Sequence, residues 1–94
     1  MYEDEHAVAF RDINPSGPTH ILVIPRRHIA SLAELTAEDD ALVGYLHRVA
    51  VKVAKADGRD NFRLAVNCGA GAGQSIFHLH LHVIGGRALA WPPG

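Results

Sequence analysis

The chain contains little sulfur and no long apolar segment. Cys68 is the one cysteine among 94 residues. A single cysteine cannot form an internal disulfide and favours a reducing compartment, so we expect a cytoplasmic protein. The apolar runs are too short to span a bilayer, and the first residues show no signal-peptide pattern. We therefore expect no membrane partner.

The chain also lacks an excess of charge of either sign. Nine Lys and Arg residues face ten Asp and Glu residues, for a net charge of −1. Without a basic field the chain has no general attraction for nucleic acid, and we expect no such partner. Its length suits one hydrophobic core, and no linker or long repeat divides it. The sequence predicts a single domain over residues 1–94.

Three histidines at alternate positions are the most informative pattern present. The run is His78-Leu79-His80-Leu81-His82, followed by Val-Ile. In a β-strand the three histidines would line one face, roughly 6.6 Å apart, while the leucines enter a core. Histidine can serve as nucleophile, acid, base or metal ligand. The structural alternative is a set of polar residues on a hydrated sheet face.

Around this run the pattern predicts an α+β domain. Alternating apolar residues predict strands over 7–13, 20–24 and 62–67, with the histidine strand beginning at about 75 and ending at the glycines 85–86. Thr36 is a suitable N-cap for a helix that ends near Gly58. An apolar stripe at helical spacing marks the face that packs, and it comprises Leu42, Leu46, Val49 and Val53. His47, on the same helix, is interpreted as a surface residue.

A glycine-rich segment, residues 69–73, comes directly before Gln74 and Ser75. Glycines allow close backbone approach, and successive N–H groups can bind phosphate oxygens, so the segment suggests an anion site. A neutral imidazole is a good nucleophile toward phosphorus. Zinc remains a rival, because three imidazoles with one open position form a sound zinc site. The apolar neighbours of the triad supply no carboxylate for a second shell.

The residues also resemble a known family. Residues 78–84 resemble the motif of the histidine triad (HIT) superfamily, and the likeness extends to 10–15, 19–25, 73–75 and 85–87. The Gly-Gly-Arg after the triad and the Trp-Pro-Pro-Gly ending resemble the histidine-triad nucleotide-binding branch. The resemblance implies a HIT-like fold, an antiparallel sheet with one long helix. It also implies a purine nucleoside phosphoramidate hydrolase, with acyl-adenylates as further substrates, that uses no metal or other cofactor.

The resemblance implies a role for each residue of the triad region. His80 would be the nucleophile that takes the nucleotidyl group, and His82 a donor to the phosphate. His78 would support the triad, Ser75 would donate toward the leaving atom, and His20 would be a fourth histidine that orients the others. His28 fits a surface role at least as well. The implied nucleotide-binding residues are Asp12 for the ribose, Phe10 and Ile13 for the base, and Asn67, Gly73, Gln74, Ser75, His80 and His82 for the phosphate.

Two further expectations follow from the resemblance. Members of this branch carry residues before the segment at Tyr2, so part of the base pocket, a helix and a hairpin, is expected to be missing here. They are homodimers, and we expect a two-fold dimer in which Trp91 contributes to the neighbouring substrate site. A purine nucleotide is the expected small-molecule partner. The alternative function is a nucleotide-binding or regulatory module whose catalysis is incidental.

Overall fold

Five antiparallel strands form one sheet. A computed structural model of the chain describes residues 1–94. The strands are β1 (Tyr2–Glu3), β2 (Ala7–Arg11), β3 (Thr19–Pro25), β4 (Phe62–Ala65) and β5 (Leu81–Gly85). Their order across the sheet is β1-β2-β3-β5-β4. The expected antiparallel sheet with one long helix is confirmed, and β1 is a short edge strand that the sequence did not predict.

One face of the sheet is covered by α1 (Asp40–Ala56). The helix packs on β2, β3 and β5, and its predicted stripe is buried at Leu46, Val49 and Val53, with Leu42 packed partly buried at the edge. The core includes Ile21, Val23, Leu81 and Val83 from the central strands. Because strand side chains alternate, burying these residues directs their neighbours to the other face.

Thr36, the predicted N-cap of the helix, instead caps a short 3-10 turn that precedes the helix. Thr36 and Asp39 form a capping box around the 3-10 turn Ala37–Asp39, which leads directly into α1. The backbone N–H of Thr36 donates to the Asp39 carboxylate at 2.9 Å. At the other end Asp57 follows α1, and Gly58 adopts a φ of +79°, the left-handed conformation that commonly ends a helix. No helix of the chain has the length and apolar character that a membrane span needs.

The histidine strand is shorter than predicted. It begins at Leu81 rather than near residue 75, so His78 and His80 precede it. The pairing of β3 with β5 ends at Val23 and Leu81. Beyond that point the N–H of Leu79 donates to the Ile29 carbonyl at 2.6 Å, which draws the chain away from the ladder.

The uncovered face of the sheet carries a row of side chains that crosses four strands. In antiparallel strands directly opposed residues share a face. The register opposes Phe10 to Leu22, Leu22 to His82, and His82 to Ala65. His20 lies two residues before Leu22 and shares that face. The fold thus places two histidines on the sheet's open side, next to the segment that carries the third.

Candidate active site

His20 and His82 form the centre of the site. His20 is 6% exposed, and its Nε2 atom lies 2.9 Å from Nδ1 of His82. The backbone N–H of Ser16 donates to Nδ1 of His20 at 2.9 Å. An imidazole nitrogen that accepts a hydrogen bond carries no proton, so the proton of neutral His20 lies on Nε2. His20 therefore donates to His82.

This donation fixes the tautomer of His82 in turn. Because its Nδ1 accepts, neutral His82 carries its proton on Nε2. That Nε2 atom is buried and has no hydrogen-bond partner in the chain. Leaving a buried N–H unpaired costs about 1–3 kcal/mol. A donor held in this state at the wall of a cavity is suited to an anionic ligand oxygen.

The surroundings keep His82 neutral. Burial lowers the pKa of His82, and the positive charge that His80 and His20 can carry lowers it further, while Asp12 partly opposes the shift. Desolvation disfavours the imidazolium form, and like charges nearby have the same effect. At pH 7 His82 is therefore a neutral imidazole, and its Nε2–H is available to a ligand.

His80 has the opposite tautomer. Its Nδ1 lies 2.7 Å from the carbonyl oxygen of His78. A carbonyl can only accept, so Nδ1 of His80 carries the proton and Nε2 holds a free lone pair. The rings of His80 and His82 are 4.9 Å apart between centroids. The site therefore combines a nucleophilic nitrogen on one ring with an N–H donor on the next.

His78 lies apart from these two rings. Its Nε2 donates to the Pro25 carbonyl at 2.8 Å, and its ring meets that of His28 at a centroid distance of 5.1 Å. The expectation that all three histidines lie in one strand is wrong, because β5 begins only at Leu81. Their alternation with buried residues nevertheless persists, and His78 and His80 line a small pocket together. The contribution of His78 to His80 is its backbone carbonyl. His28 and His47 are exposed, as expected of surface residues.

A cavity of about 520 Å³ opens over the site. Its lining includes nine residues that the sequence predicted: Phe10, Asp12, Ile13, His20, Asn67, Gly73, Ser75, His80 and His82. The Oδ2 of Asp12 is 3.5 Å from Nε2 of His20, and its Oδ1 accepts the backbone N–H of Asn14 at 2.8 Å. The cavity therefore places a carboxylate beside two imidazoles.

Gln74 does not line this cavity, contrary to its predicted role. It is 3% exposed, and its Oε1 accepts the N–H of Gly69 at 2.9 Å. Its Nε2 donates to the carbonyls of Ala30 and Ile76. An amide with both ends engaged has little capacity left for a phosphate. Gln74 instead fastens the glycine-rich loop to the domain.

The glycine-rich loop is also not an open row of amides. It contains a 3-10 turn, Ala70–Ala72, between Gly69 and Gly73, both of which have positive φ. The N–H groups of Ala72, Gly73 and Gln74 donate to carbonyls within the loop. The idea that these N–H groups cradle a phosphate is therefore wrong. The glycines allow the turn, which brings Gly73 and Ser75 to the cavity wall.

Trp91 lies outside the cavity of its own chain. Its side chain is 80% exposed. The guanidinium of Arg63, on the edge strand β4, lies 5.9 Å from the indole centroid and donates to the carbonyls of Leu89 and Ala90. The tail is thus fixed to a sheet edge while its largest side chain projects away from the fold.

Comparison with known proteins agrees with this geometry. A family model described as the HIT domain matches residues 1–89. The chain belongs to the HIT family. An uncharacterized HIT-like protein of Synechococcus elongatus is 48% identical to this chain. That match covers the whole of this chain and 83% of the length of the relative. The crystal structure of a HIT family hydrolase from Legionella pneumophila matches all of this chain and 86% of that one, with a TM-score of 0.97 and 43% identity.

A second solved structure supports the same assignment. A histidine triad protein from Clostridium difficile matches 96% of this chain and 80% of its own, with a TM-score of 0.91 and 41% identity. The fold of this HIT domain is thus that of proteins described as hydrolases and as histidine triad proteins. These likenesses establish the family and the fold.

Several residues of the HIT domain's cavity went unrecognised in the sequence. They are Arg11, Asn14, Ser16, Leu22 and Ile76. Leu22 could have been found from strand alternation, because it lies two positions after His20. Ser16 contributes a backbone N–H, for which no side-chain pattern gives a signal.

One cluster of side chains has the spacing of metal ligands, and it comprises Asp12, His20 and His82. The atoms that could ligate a metal lie within 4.8 Å of one another. Coordination through Nε2 of His20 would require its proton to move to Nδ1. That nitrogen already accepts the N–H of Ser16. The donor set therefore does not fit a cation unless the Ser16 peptide turns away.

Proposed function

We propose that this HIT domain hydrolyses purine nucleoside phosphoramidates, with acyl-adenylates as further substrates, through a nucleotidyl-histidine intermediate. The observation that carries the proposal is the pairing of tautomers. His80 offers an unprotonated Nε2 and His82 a protonated one, on adjacent rings at one cavity. A nucleophile beside a preformed donor is what phosphoryl transfer requires when charge builds on the phosphate oxygens.

In the first step Nε2 of His80 forms a bond to phosphorus, and the P–N bond to the leaving amine breaks. His82 Nε2–H donates to a phosphate oxygen. The departing nitrogen takes a proton from the Ser75 hydroxyl, which takes one in turn from water, so the amine leaves neutral and Ser75 is unchanged. In the second step water attacks the same phosphorus, releasing to solvent the proton that balances the one taken in the first step, and the P–N bond to His80 breaks. The nucleoside monophosphate leaves, and the imidazole regains its lone pair.

The remaining cavity residues suit a nucleoside. The Asp12 carboxylate can accept two hydroxyl hydrogen bonds from a ribose. Phe10, Ile13 and Leu22 supply apolar surface for the base.

A single free cysteine, exposed Cys68, fits a cytoplasmic setting.

We also propose a homodimer in which Trp91 reaches the neighbouring active site. The strand β4 forms one edge of the sheet, and an uncovered edge is a ready surface for pairing. Exposed Trp91, fixed beside that edge by Arg63, is placed to contact a second chain. Sedimentation at micromolar concentration should give a two-chain species, and a species with the mass of one chain alone would contradict the dimer.

The test of function is a fluorogenic adenosine phosphoramidate. The protein should release the fluorescent amine and AMP with multiple turnovers, and His47→Ala should match the unaltered chain. The alternative, a nucleotide-binding module with incidental catalysis, predicts tight AMP binding without amine release. That result would overturn the proposal.

A further inference from the structure

Arg87 lies outside the catalytic cavity but is bonded to the loop behind it. Its Nε donates to the carbonyl of Ser16 at 2.5 Å, and its Nη1 donates to the Ala88 carbonyl at 2.9 Å. The side chain borders a separate polar depression of the surface, with Gly58 and Asp60. Nothing in the proposed chemistry uses it directly.

Ser16 connects this arginine to the histidines. Its carbonyl accepts from Arg87, while its N–H donates to Nδ1 of His20. Residues 14–18 contain two prolines and a glycine and belong to no helix or strand. No bond of the sheet ladder holds Ser16, and the side-chain bond to its carbonyl comes from Arg87.

The loop also packs closely against the end of β5. A Cβ added at Gly17 would lie 3.0 Å from the Gly85 carbonyl oxygen, and Gly86 has a φ of +88°. A Cβ at Gly86 would lie 2.9 Å from Cβ of Pro18. The glycines thus let the loop approach β5 closely enough for Arg87 to reach Ser16.

We propose that Arg87 is a positioning residue that sets the tautomer of His20, and through it that of His82. The proposal rests on the proposed function for its kinetic consequence. The two neutral tautomers of an imidazole differ little, so the bond made by one nitrogen decides which is present. If the Ser16 N–H moves away, His20 can carry its proton on Nδ1. His82 then no longer receives a donor, and its own Nε2–H is lost in part of the population.

The test compares three variants by the nitrogen NMR signals of the histidine rings, which report directly which nitrogen is protonated. Arg87→Met removes the donor and keeps a long side chain. Arg87→Lys keeps a cation that can donate to the same carbonyl. Arg26→Met is the matched control, since Arg26 Nε also donates to a backbone carbonyl, that of Asp4 at 2.6 Å, away from the cavity.

Arg87→Met should show a mixture of His20 tautomers where the unaltered chain and Arg26→Met show Nε2–H alone. With the phosphoramidate substrate, kcat should fall on the order of tenfold while KM stays nearly constant, because outer residues act on orientation more than on binding. Arg87→Lys should restore most of kcat.

The proposal is overturned if Arg87→Met keeps a single His20 tautomer, or if Arg26→Met loses as much activity as Arg87→Met. If the unaltered chain hydrolyses no phosphoramidate, the proposed function fails instead. The tautomer measurement does not depend on turnover, and it still decides the role of Arg87.

Discussion

Nε2 of His20 donates to Nδ1 of His82 across 2.9 Å between neighbouring strands β3 and β5. This bond, with the one from Ser16 to His20, orders the protons along three groups and ends at the unpartnered Nε2–H of His82. His80 is oriented independently, by the carbonyl of His78. The complementary tautomers of the two rings thus come from two separate backbone contacts.

Replacing His20 tests the hydrogen bonds that run from Ser16 through His20 to His82. His20→Leu removes the donor to His82, and kcat should fall on the order of tenfold. His20→Gln keeps an N–H₂ donor toward His82 and an oxygen that can accept from Ser16, so it should retain more activity than His20→Leu. Steady-state kinetics on the phosphoramidate would check this order, and equal activity in the two variants would refute donation by His20.

Asp12 should govern recognition of the ribose. Hydrogen bonds to charged groups contribute about 1.5–3 kcal/mol, so Asp12→Asn should raise the Kd for AMP by about tenfold or more. The unaltered chain should favour AMP over 2′,3′-dideoxy-AMP, and Asp12→Asn should lose that preference. Calorimetric titration measures both, with Asp60→Asn as an exposed-carboxylate control. A preference that survives in Asp12→Asn would place ribose recognition elsewhere.

Much of this arrangement followed from the sequence because it depends on local periodicity. Buried Leu79, Leu81 and Val83 alternate with the histidines as predicted. The roles of Asp12 and His20 came from the family resemblance, and both residues line the same cavity as His80 and His82. The start of β5 could not be predicted, because it depends on Leu79 bonding to Ile29, which is distant in sequence.

The errors share a physical cause. Gln74 adjoins the site in sequence, yet a polar side chain there can equally form hydrogen bonds with buried backbone groups. In this structure it bonds to the N–H of Gly69 and the carbonyl of Ala30. In the glycine-rich loop the N–H groups of Ala72, Gly73 and Gln74 donate to carbonyls of the loop itself. Hydrogen-bond partners of this kind are set by tertiary packing, and the residue types alone give no signal for them.

The lowered pKa of His82 makes stability depend on pH. Burial is its main cause, followed by the neighbouring His80 and His20. An unfolded histidine has a pKa of about 6.5, so between that value and the lower folded pKa the unfolded state binds more protons. The free energy of unfolding should therefore fall as the pH drops through this window. Urea unfolding at pH 7.5 and pH 5.5 should show a smaller loss in His82→Gln than in the control His47→Gln. Equal losses would contradict the shift.

A chelator should leave hydrolysis unchanged, because the proposed steps use imidazoles and a hydroxyl. Zinc should inhibit by occupying imidazole nitrogens, at the cost of the Ser16–His20 bond. Activity measured with excess EDTA between pH 5 and pH 8 should match the untreated protein. Activity lost with EDTA and restored by zinc would establish the metal alternative.

His80 is the residue whose Nε2 we propose bonds to phosphorus. His80→Ala should reduce turnover by several orders of magnitude while leaving circular dichroism and AMP binding close to those of the unaltered chain. A variant with more than about a tenth of the activity would refute the assignment, given what loss of a nucleophile costs.

The most direct measurement is intact-protein mass spectrometry after rapid mixing with the phosphoramidate and quenching at a pH that preserves phosphohistidine. We predict a species heavier by one adenylyl group, formed and consumed within a turnover, with the adenylyl group on the peptide that contains His80. His80→Ala should show none. Turnover by the unaltered chain with no adduct, or an adduct on another residue, would contradict it.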